Sequence, residues 1–152
     1  MAKKINSVKN SLFQTTNDIV VFIDGGARGN PGHSAIGVVI AINGAKKKYG
    51  EYIGINTNNV AEYSALVFAL KKIKQLFGKE KCKELKIQIM SDSELLVRQM
   101  TGIYKIEEPK LRDLFMDIWN LRLDFDDVSF QHIPREKNKE ADEQVNIALD
   151  NN

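Results

Sequence analysis

The chain of 152 residues contains little cysteine, histidine or proline and has no long hydrophobic run. Its single cysteine, Cys82, excludes a disulfide within the chain and is typical of a reducing compartment. No segment approaches the roughly 18 apolar residues that a membrane span requires, and residues 1–17 lack the apolar core of a signal peptide. We therefore expect a cytoplasmic protein that does not enter a membrane.

The overall composition is typical of a folded domain. Hydrophobic residues make up 43% and charged residues 28% of the chain, and 10 glycines and 3 prolines exclude collagen-like or low-complexity structure. A chain of this length buries about 70% of the surface that its unfolded form exposes. We expect a mobile basic leader at residues 1–17, one domain over residues 18–150, and a monomer.

Charge is divided unevenly between two halves of the chain. Residues 1–86 carry 14 basic and 6 acidic residues, a net charge of +8, whereas residues 87–152 carry 8 and 14, a net charge of −6. Such asymmetry indicates nucleic-acid contact or a site built from carboxylates. Lys71, Lys72 and Lys74 are candidate phosphate contacts, and the alternative is a solvated helix face.

Hydrophobic periodicity predicts an α/β fold with a five-stranded mixed sheet. Alternating or β-branched runs predict strands at 18–24, 34–42, 46–53, 85–90 and 127–133. Helical spacing predicts helices after 57–59, over 95–102, from 109 to 121, and over 138–149. The glycine-rich segment 25–32 reads as a turn. Strands 1–3 then form an antiparallel meander, and right-handed crossovers make strands 1, 4 and 5 parallel.

Four acidic residues lie at the ends of these predicted elements. Asp24 closes the first strand, Asp92 follows the fourth, and Asp142 lies early in the last helix. Glu62 is predicted in the first turn of the long helix. Because ligands of such sheets gather at the carboxyl ends of parallel strands, we expect these side chains to converge.

Clustered carboxylates repel one another, and a hard divalent cation with oxygen ligands relieves the repulsion. Each acid alone also has a structural interpretation, as a turn-initiating or helix-capping residue. The joint placement of all four favours a magnesium site. Two ions about 4 Å apart can activate water for phosphodiester hydrolysis. No HExxH motif or cysteine–histidine cluster supports zinc chemistry.

Four ordered blocks resemble ribonuclease H, type 1. They are Asp24–Gly32 (DGGARGNPG), Thr57–Tyr63 (TNNVAEY), Ser91–Met100 (SDSELLVRQM) and His132–Asp142 (HIPREKNKEAD). The resemblance covers residues 18–150 and implies the ribonuclease H-like fold. It also implies metal-dependent cleavage of the RNA strand of RNA–DNA hybrids, leaving 5′-phosphate and 3′-hydroxyl ends. Mg²⁺ is the implied cofactor, with two ions per site when substrate is present and Mn²⁺ as a substitute.

The resemblance also assigns roles to particular residues. The implied metal ligands are Asp24, Glu62, Asp92 and Asp142. The implied substrate-binding residues are Gly25, Gly26, Asn30, Thr57, Asn58 and Asn59. Amide and hydroxyl groups suit this role because they can bond the 2′-OH that distinguishes RNA from DNA. The alternative for the asparagines is helix capping. His132 or Arg135 is the implied helper near the leaving group, and the sequence leaves both open.

One segment departs from the pattern of many bacterial relatives. Residues 101–109 occupy the place of a basic, tryptophan-bearing protrusion, yet they are few and not basic. The sequence therefore resembles the shorter, archaeal-like branch of the family. Two alternatives to hybrid cleavage stay open. One is a nuclease of this fold that acts on double-stranded RNA, and the other is a non-catalytic nucleic-acid-binding module.

Overall fold

A computed structural model describes residues 18–152, so the leader predicted for residues 1–17 lies outside the described residues. The strands are β1 (Asp18–Arg28), β2 (Gly32–Ile42), β3 (Ala45–Asn56), β4 (Lys86–Ser91) and β5 (Asp127–His132). The helices are α1 (Asn58–Phe77), α2 (Lys79–Cys82), α3 (Glu94–Met100), α4 (Pro109–Arg122) and α5 (Lys139–Asp150), with a 3₁₀ turn at Arg135–Lys137.

The strands form one mixed sheet in the order β3-β2-β1-β4-β5. β1, β2 and β3 pair antiparallel, whereas β4 lies parallel between β1 and β5. The predicted meander and parallel half are both confirmed. The physical reason is connection length: two short turns join the meander, and helical crossovers join β3 to β4 and β4 to β5.

The glycine-rich segment differs from its prediction. Residues 25–28 continue β1 instead of turning, and they pair with β2 from Gly25 opposite Ile36 to Arg28 opposite His33. A β-ladder is made by backbone groups, so glycines can join it without side chains. The pairing of β1 with β4 stops earlier, at Ile23 opposite Ser91. Beyond that point the sheet splits, and this opening is where the site lies.

Helices cover both faces of the sheet. The larger core lies between the sheet and α1, α3 and α4, and its central side chains are fully buried. On the opposite face α5 packs on β2 and β3 through Val145, Ala148 and Leu149. A methyl group built on Gly37 of β2 would lie 2.0 Å from the carbonyl oxygen of Ala141. The absence of a side chain there allows α5 to rest directly on the sheet.

The short helix α2 is an element that the periodicity did not predict. It follows Gly78, whose backbone has φ +82°, and it is only four residues long. Cys82 at its end is buried, with Sγ 4.0 Å from the carbonyl oxygen of Ile73. A buried thiol in an apolar environment has a raised pKa, and burial raises the pKa of Cys82. Cys82 is therefore a core residue.

Ion pairs connect the basic first half of the chain to the acidic second half. The pairs are Arg28–Asp150 at 2.6 Å, Lys46–Glu140 at 2.6 Å, Lys48–Glu140 at 3.1 Å and Lys74–Asp124 at 2.7 Å. The two lysines on β3 lower the pKa of Glu140 through hydrogen bonds. Part of the charge difference between the two halves is therefore taken up by ion pairs within the fold. No helix in residues 18–152 has the length and apolar character that a membrane crossing needs.

Candidate active site

Three carboxylates converge at the opening between β1 and β4. One oxygen from each of Asp24, Glu62 and Asp92 lies within 4.8 Å of the other two. Asp24 and Asp92 come together because each directly follows a residue of the last β1–β4 pair, Ile23 opposite Ser91. These two acids therefore lie together as predicted, but the prediction that Asp24 closes the first strand is wrong, because β1 continues to Arg28.

Glu62 reaches the same point from α1, but one turn deeper than predicted. The cap of α1 is Thr57, whose Oγ1 accepts a hydrogen bond from the backbone N–H of Val60 at 3.2 Å. No acidic residue lies in the first turn, and the prediction that Glu62 lies there is wrong. Glu62 is the fifth residue of the helix, which puts it on the same face as Asn58, toward the sheet.

Asp142 approaches from the opposite face of the sheet. It lies in the first turn of α5 and lines the cleft together with the other three acids. Its Oδ2 accepts a hydrogen bond of 3.4 Å from Nδ2 of Asn146. Asp142 is not one of the three residues with the mutually close oxygens, so it stands at the rim of the cluster.

Burial and the neighbouring charges raise the pKa of two of these acids, Asp24 and Glu62. Burial, followed by the charges of Asp92 and Asp142, raises the pKa of Asp24 from 3.8 to about 7. Burial, followed by the charges of Asp24 and Asp92, also raises the pKa of Glu62 well above 4.5. The backbone N–H of Gly25 opposes both effects without cancelling them. Two buried acids with raised pKa values beside a third carboxylate mark a cleft that favours positive charge.

The donor set fits a hard divalent cation. All the converging atoms are carboxylate oxygens, which Mg²⁺ and Mn²⁺ prefer. Oε2 of Glu62 is buried and lacks a hydrogen-bond partner within residues 18–152. Such an atom is costly to bury unless something else satisfies it. A cation between the carboxylates would satisfy Oε2 and remove the repulsion.

The predicted substrate-binding residues form a linked rim beside the acids. Oδ1 of Asn30 accepts a hydrogen bond from the backbone N–H of Asn58 at 3.0 Å. Oδ1 of Asn58 in turn accepts from the backbone N–H of Ala27 at 2.9 Å. Gly26 lines the cleft, and Gly25 is buried against α1. These bonds join the tip of the β1–β2 hairpin to the first turn of α1, where Asn59 also lies.

Arg135 and His132, the two candidate helpers near the leaving group, lie at different places around the cleft. Arg135, in the 3₁₀ turn, is exposed and lines the cleft that holds all four acids. His132 is the last residue of β5, and its Nε2 lies 3.3 Å from the backbone oxygen of Asp92. His132 is therefore adjacent to the backbone of one acid, while Arg135 lines the cleft that contains all four.

Sequence reasoning missed the contact of Asn138 with the site. Its Nδ2 donates to the backbone oxygen of Ile23 at 2.8 Å and lies 3.3 Å from Oδ2 of Asp92. The available signal was the residue type, since asparagine is typical of the position before a helix. That signal predicts capping, but the side chain of Asn138 makes no cap hydrogen bond.

The proposed phosphate contacts on α1 lie apart from the site. Lys71 is nine residues beyond Glu62, about 13 Å along the helix axis at 1.5 Å per residue. Lys74 is ion-paired with Asp124, and Nζ of Lys72 lies 5.1 Å from the ring centroid of Tyr49. Both lysines therefore have partners within the fold, and their contact with nucleic acid stays a prediction.

Comparison with known proteins places the chain in a family. The model of the family described as Reverse transcriptase-like matches residues 22–148. The ribonuclease HI of Halobacterium salinarum is 39% identical over 131 residues, which are 85% of this chain and 63% of that protein. A bifunctional protein of Mycobacterium tuberculosis is 34% identical over 135 residues, 87% of this chain and 35% of that protein.

Solved structures agree with this placement. A crystal structure of LC11-RNase H1 in complex with an RNA/DNA hybrid has 46% identity and a TM-score of 0.83, covering 88% of this chain and 97% of that one. The RNase H1 of Halobacterium salinarum has 37% identity and a TM-score of 0.79, covering 89% and 99%.

The chain shares its α/β fold with both RNase H1 structures over most of its length. The chain belongs to the ribonuclease H1 family. The similarity to the archaeal protein agrees with the shorter branch predicted from residues 101–109. The chain spans less than two thirds of the length of the curated relatives reported above.

Proposed function

We propose that this protein is an endoribonuclease that hydrolyses the RNA strand of RNA–DNA hybrids and leaves 5′-phosphate and 3′-hydroxyl ends. The observation that carries the proposal is the approach of carboxylate oxygens of Asp24, Glu62 and Asp92 to within 4.8 Å of one another. Membership of the ribonuclease H1 family supports it, as does the similarity to LC11-RNase H1, which was solved with an RNA/DNA hybrid.

The proposed cofactor is Mg²⁺, two ions per site with substrate, and Mn²⁺ is the proposed substitute. Asp24, Glu62 and Asp92 would hold the ions, with Asp142 contributing from α5. When bound, two divalent ions supply the activation of a water and the neutralisation of charge on the leaving oxygen of a phosphodiester. The protein's contribution is to keep four carboxylates in one cleft despite their repulsion.

Residues at the edge of the cleft would assist the departure of the cleaved strand. The guanidinium of Arg135 would place positive charge beside the scissile phosphate, where negative charge increases in the transition state. The ring of His132, which lies beside the backbone oxygen of Asp92, would assist proton transfer. Neither side chain is buried, so both can adjust to a bound strand.

The linked rim would recognise the minor groove of the hybrid. The side-chain oxygens of Asn30, Thr57 and Asn58 already accept hydrogen bonds from backbone N–H groups. Their remaining donors are two amide NH₂ groups and one hydroxyl. Donors of this kind suit the base acceptors of the minor groove and the 2′-OH of RNA. Capping and recognition are therefore compatible in the same side chains.

A side-by-side cleavage assay tests the function. RNA–DNA hybrid, double-stranded RNA and double-stranded DNA of one sequence are incubated with Mg²⁺ or Mn²⁺, and product ends are mapped. We expect internal cleavage of the hybrid's RNA strand, abolished by Asp24→Asn or Asp92→Asn. Asp127→Asn is the matched control, because Asp127 is exposed at the opposite end of the parallel strands.

The assay also separates the alternatives. Cleavage of double-stranded RNA at a comparable rate would broaden the substrate class, and hybrid binding without cleavage would favour a non-catalytic module. Robust cleavage in excess chelator would overturn the proposed cation dependence.

A further inference from the structure

The side chain of Asn138 is placed in a way that its position in the sequence does not explain. Only 1% of the residue is exposed, and it occupies the position before α5. An asparagine at this position normally turns its Oδ1 toward the N–H groups of the first helical turn. Here the side chain makes no such bond, and Oδ1 is buried without a hydrogen-bond partner in the described part of the chain.

The nitrogen of the same amide accounts for this orientation. Nδ2 donates to the backbone oxygen of Ile23 at 2.8 Å and lies 3.3 Å from Oδ2 of Asp92. The backbone oxygen of Ile23 can only accept a hydrogen bond, so the amide presents its nitrogen to it. Burying an unpaired acceptor is unfavourable for folding. The two contacts of Nδ2 are thus kept although they leave Oδ1 without a hydrogen-bond partner.

The contacts of Asn138 reach three of the four acids. Ile23 is the residue before Asp24, so one bond fixes the β1 backbone next to that acid. The second contact restrains the carboxylate of Asp92. The backbone oxygen of Asn138 also accepts from the N–H of Asp142 at 3.1 Å, which sets the first turn of α5. One residue therefore connects the start of α5 with β1 and with the residue that follows β4.

We propose that Asn138 is a positioning residue that holds the Asp92 carboxylate in register with Asp24 for cation binding. This inference rests on the proposed function of the four acids. In this proposal Asn138 contacts neither substrate nor cation, and it acts through Asp92. Without the amide, the Asp92 side chain gains rotational freedom, and the repulsion from its neighbours moves it away from the cluster.

The test compares two variants of Asn138 with a matched pair at Asn56. Asn138→Ala removes the donor, and Asn138→Leu removes it while keeping the volume. Nδ2 of Asn56 also donates to a backbone oxygen, of Ile53 at 2.8 Å, and to a side-chain oxygen, of Ser34 at 3.2 Å. Asn56 has the same kind of bonding without contact to a carboxylate of the site, so Asn56→Ala and Asn56→Leu are the controls.

The main readout is the dissociation constant of Mn²⁺ in the absence of nucleic acid, measured by isothermal titration calorimetry. We expect it to weaken at least tenfold in both Asn138 variants and to stay within twofold of the parent in both Asn56 variants. All four variants are expected to unfold at lower temperature than the parent. With hybrid and saturating Mn²⁺, the Asn138 variants should lose kcat at least tenfold with KM unchanged.

The outcomes that overturn the inference differ from those that overturn the proposed function. A parent protein that binds no Mn²⁺ and cleaves no hybrid contradicts the function itself. Parental Mn²⁺ affinity in a folded Asn138→Ala protein, or its recovery in Asn138→Leu, would mean that Asn138 only fills space. Failure of both Asn138 variants to fold would assign the residue to stability alone and overturn the positioning role as well.

Discussion

Gly25 of β1 packs directly on the backbone of Ala61 in α1. A methyl group built on Gly25 would lie 2.2 Å from the carbonyl carbon of Ala61 and 2.4 Å from the backbone nitrogen of Glu62. The strand and the helix thus meet backbone to backbone, one residue beyond Asp24 and one before Glu62. This contact sets the distance between two of the acids, so Gly25 has a packing role in addition to any contact with substrate.

Gly25→Ala should therefore damage both the fold and the cleft. We expect a loss of about 3 kcal/mol in the free energy of unfolding, at the upper end of overpacking costs, since backbone atoms cannot move aside. Gly26→Ala is the matched control, because a methyl group there would lie 3.6 Å from Cγ1 of Val145, an ordinary contact. Its cost should stay below about 1 kcal/mol. Urea denaturation of both variants checks the difference, and equal costs would contradict it.

The sequence predicted the parts of this arrangement that follow from chain periodicity and connection rules. Asp24 and Asp92 directly follow the last paired residues of two neighbouring parallel strands, and the sequence shows this as a β-branched or alternating run followed by an acid. The extension of β1 through Gly25 to Arg28 was not predictable, because residue type signals a turn while the backbone pairs. The two bonds of Asn138 also escaped prediction, since they depend on elements more than 40 residues away.

The raised pKa of Asp24 makes the stability of the cation-free protein depend on pH. Its folded pKa of about 7 exceeds the ordinary value of 3.8, so the folded state holds the proton more tightly than the unfolded state. The stabilisation is complete below pH 3.8 and is lost as the pH rises toward 7. Removal of this charge should therefore stabilise the protein at higher pH.

Asp24→Asn in excess chelator should accordingly be more stable than the parent at pH 8. We expect a gain of about 1–3 kcal/mol in the free energy of unfolding, since each pKa unit corresponds to about 1.4 kcal/mol and neighbouring acids share the effect. The gain should shrink at pH 5, where the parent's Asp24 is mostly protonated. Urea titrations at both pH values measure it, and a constant difference between the two would contradict the assignment.

Tyr63 connects α1 to α3 and to the segment that follows α3. Its buried hydroxyl donates to Oε1 of Gln99, and Nε2 of Gln99 donates to the backbone oxygen of Lys105 at 3.0 Å. Tyr63→Phe would leave the buried Oε1 of Gln99 unsatisfied, at a cost of about 1–3 kcal/mol. Thermal unfolding should show the loss, and amide exchange around Lys105 should accelerate.

The control for this change is Tyr104→Phe. Tyr104 is 46% exposed, and its ring lies beside Arg98, so loss of its hydroxyl should change stability by less than about 0.5 kcal/mol. A Tyr63→Phe protein as stable as the Tyr104→Phe protein would show that the bond to Gln99 contributes nothing.

The positions of Arg135 and His132 predict an order of importance for catalysis. Arg135 lines the cleft of the four acids, whereas His132 contacts the backbone oxygen of Asp92. Removal of one preorganised donor that faces the negative charge of a transition state lowers kcat by about 100-fold. The same factor is expected for loss of a positive charge in that place. We expect Arg135→Ala to lower kcat by about that factor and His132→Ala by about tenfold. Arg122→Ala, at the end of α4, should leave kcat unchanged.

Single-turnover cleavage of a hybrid separates this order from differences in product release. Arg135→Lys should recover part of the lost rate because it keeps the charge but not the planar donor geometry. A larger loss of single-turnover rate in His132→Ala than in Arg135→Ala would reverse the assignment and make proton transfer at His132 the more demanding step.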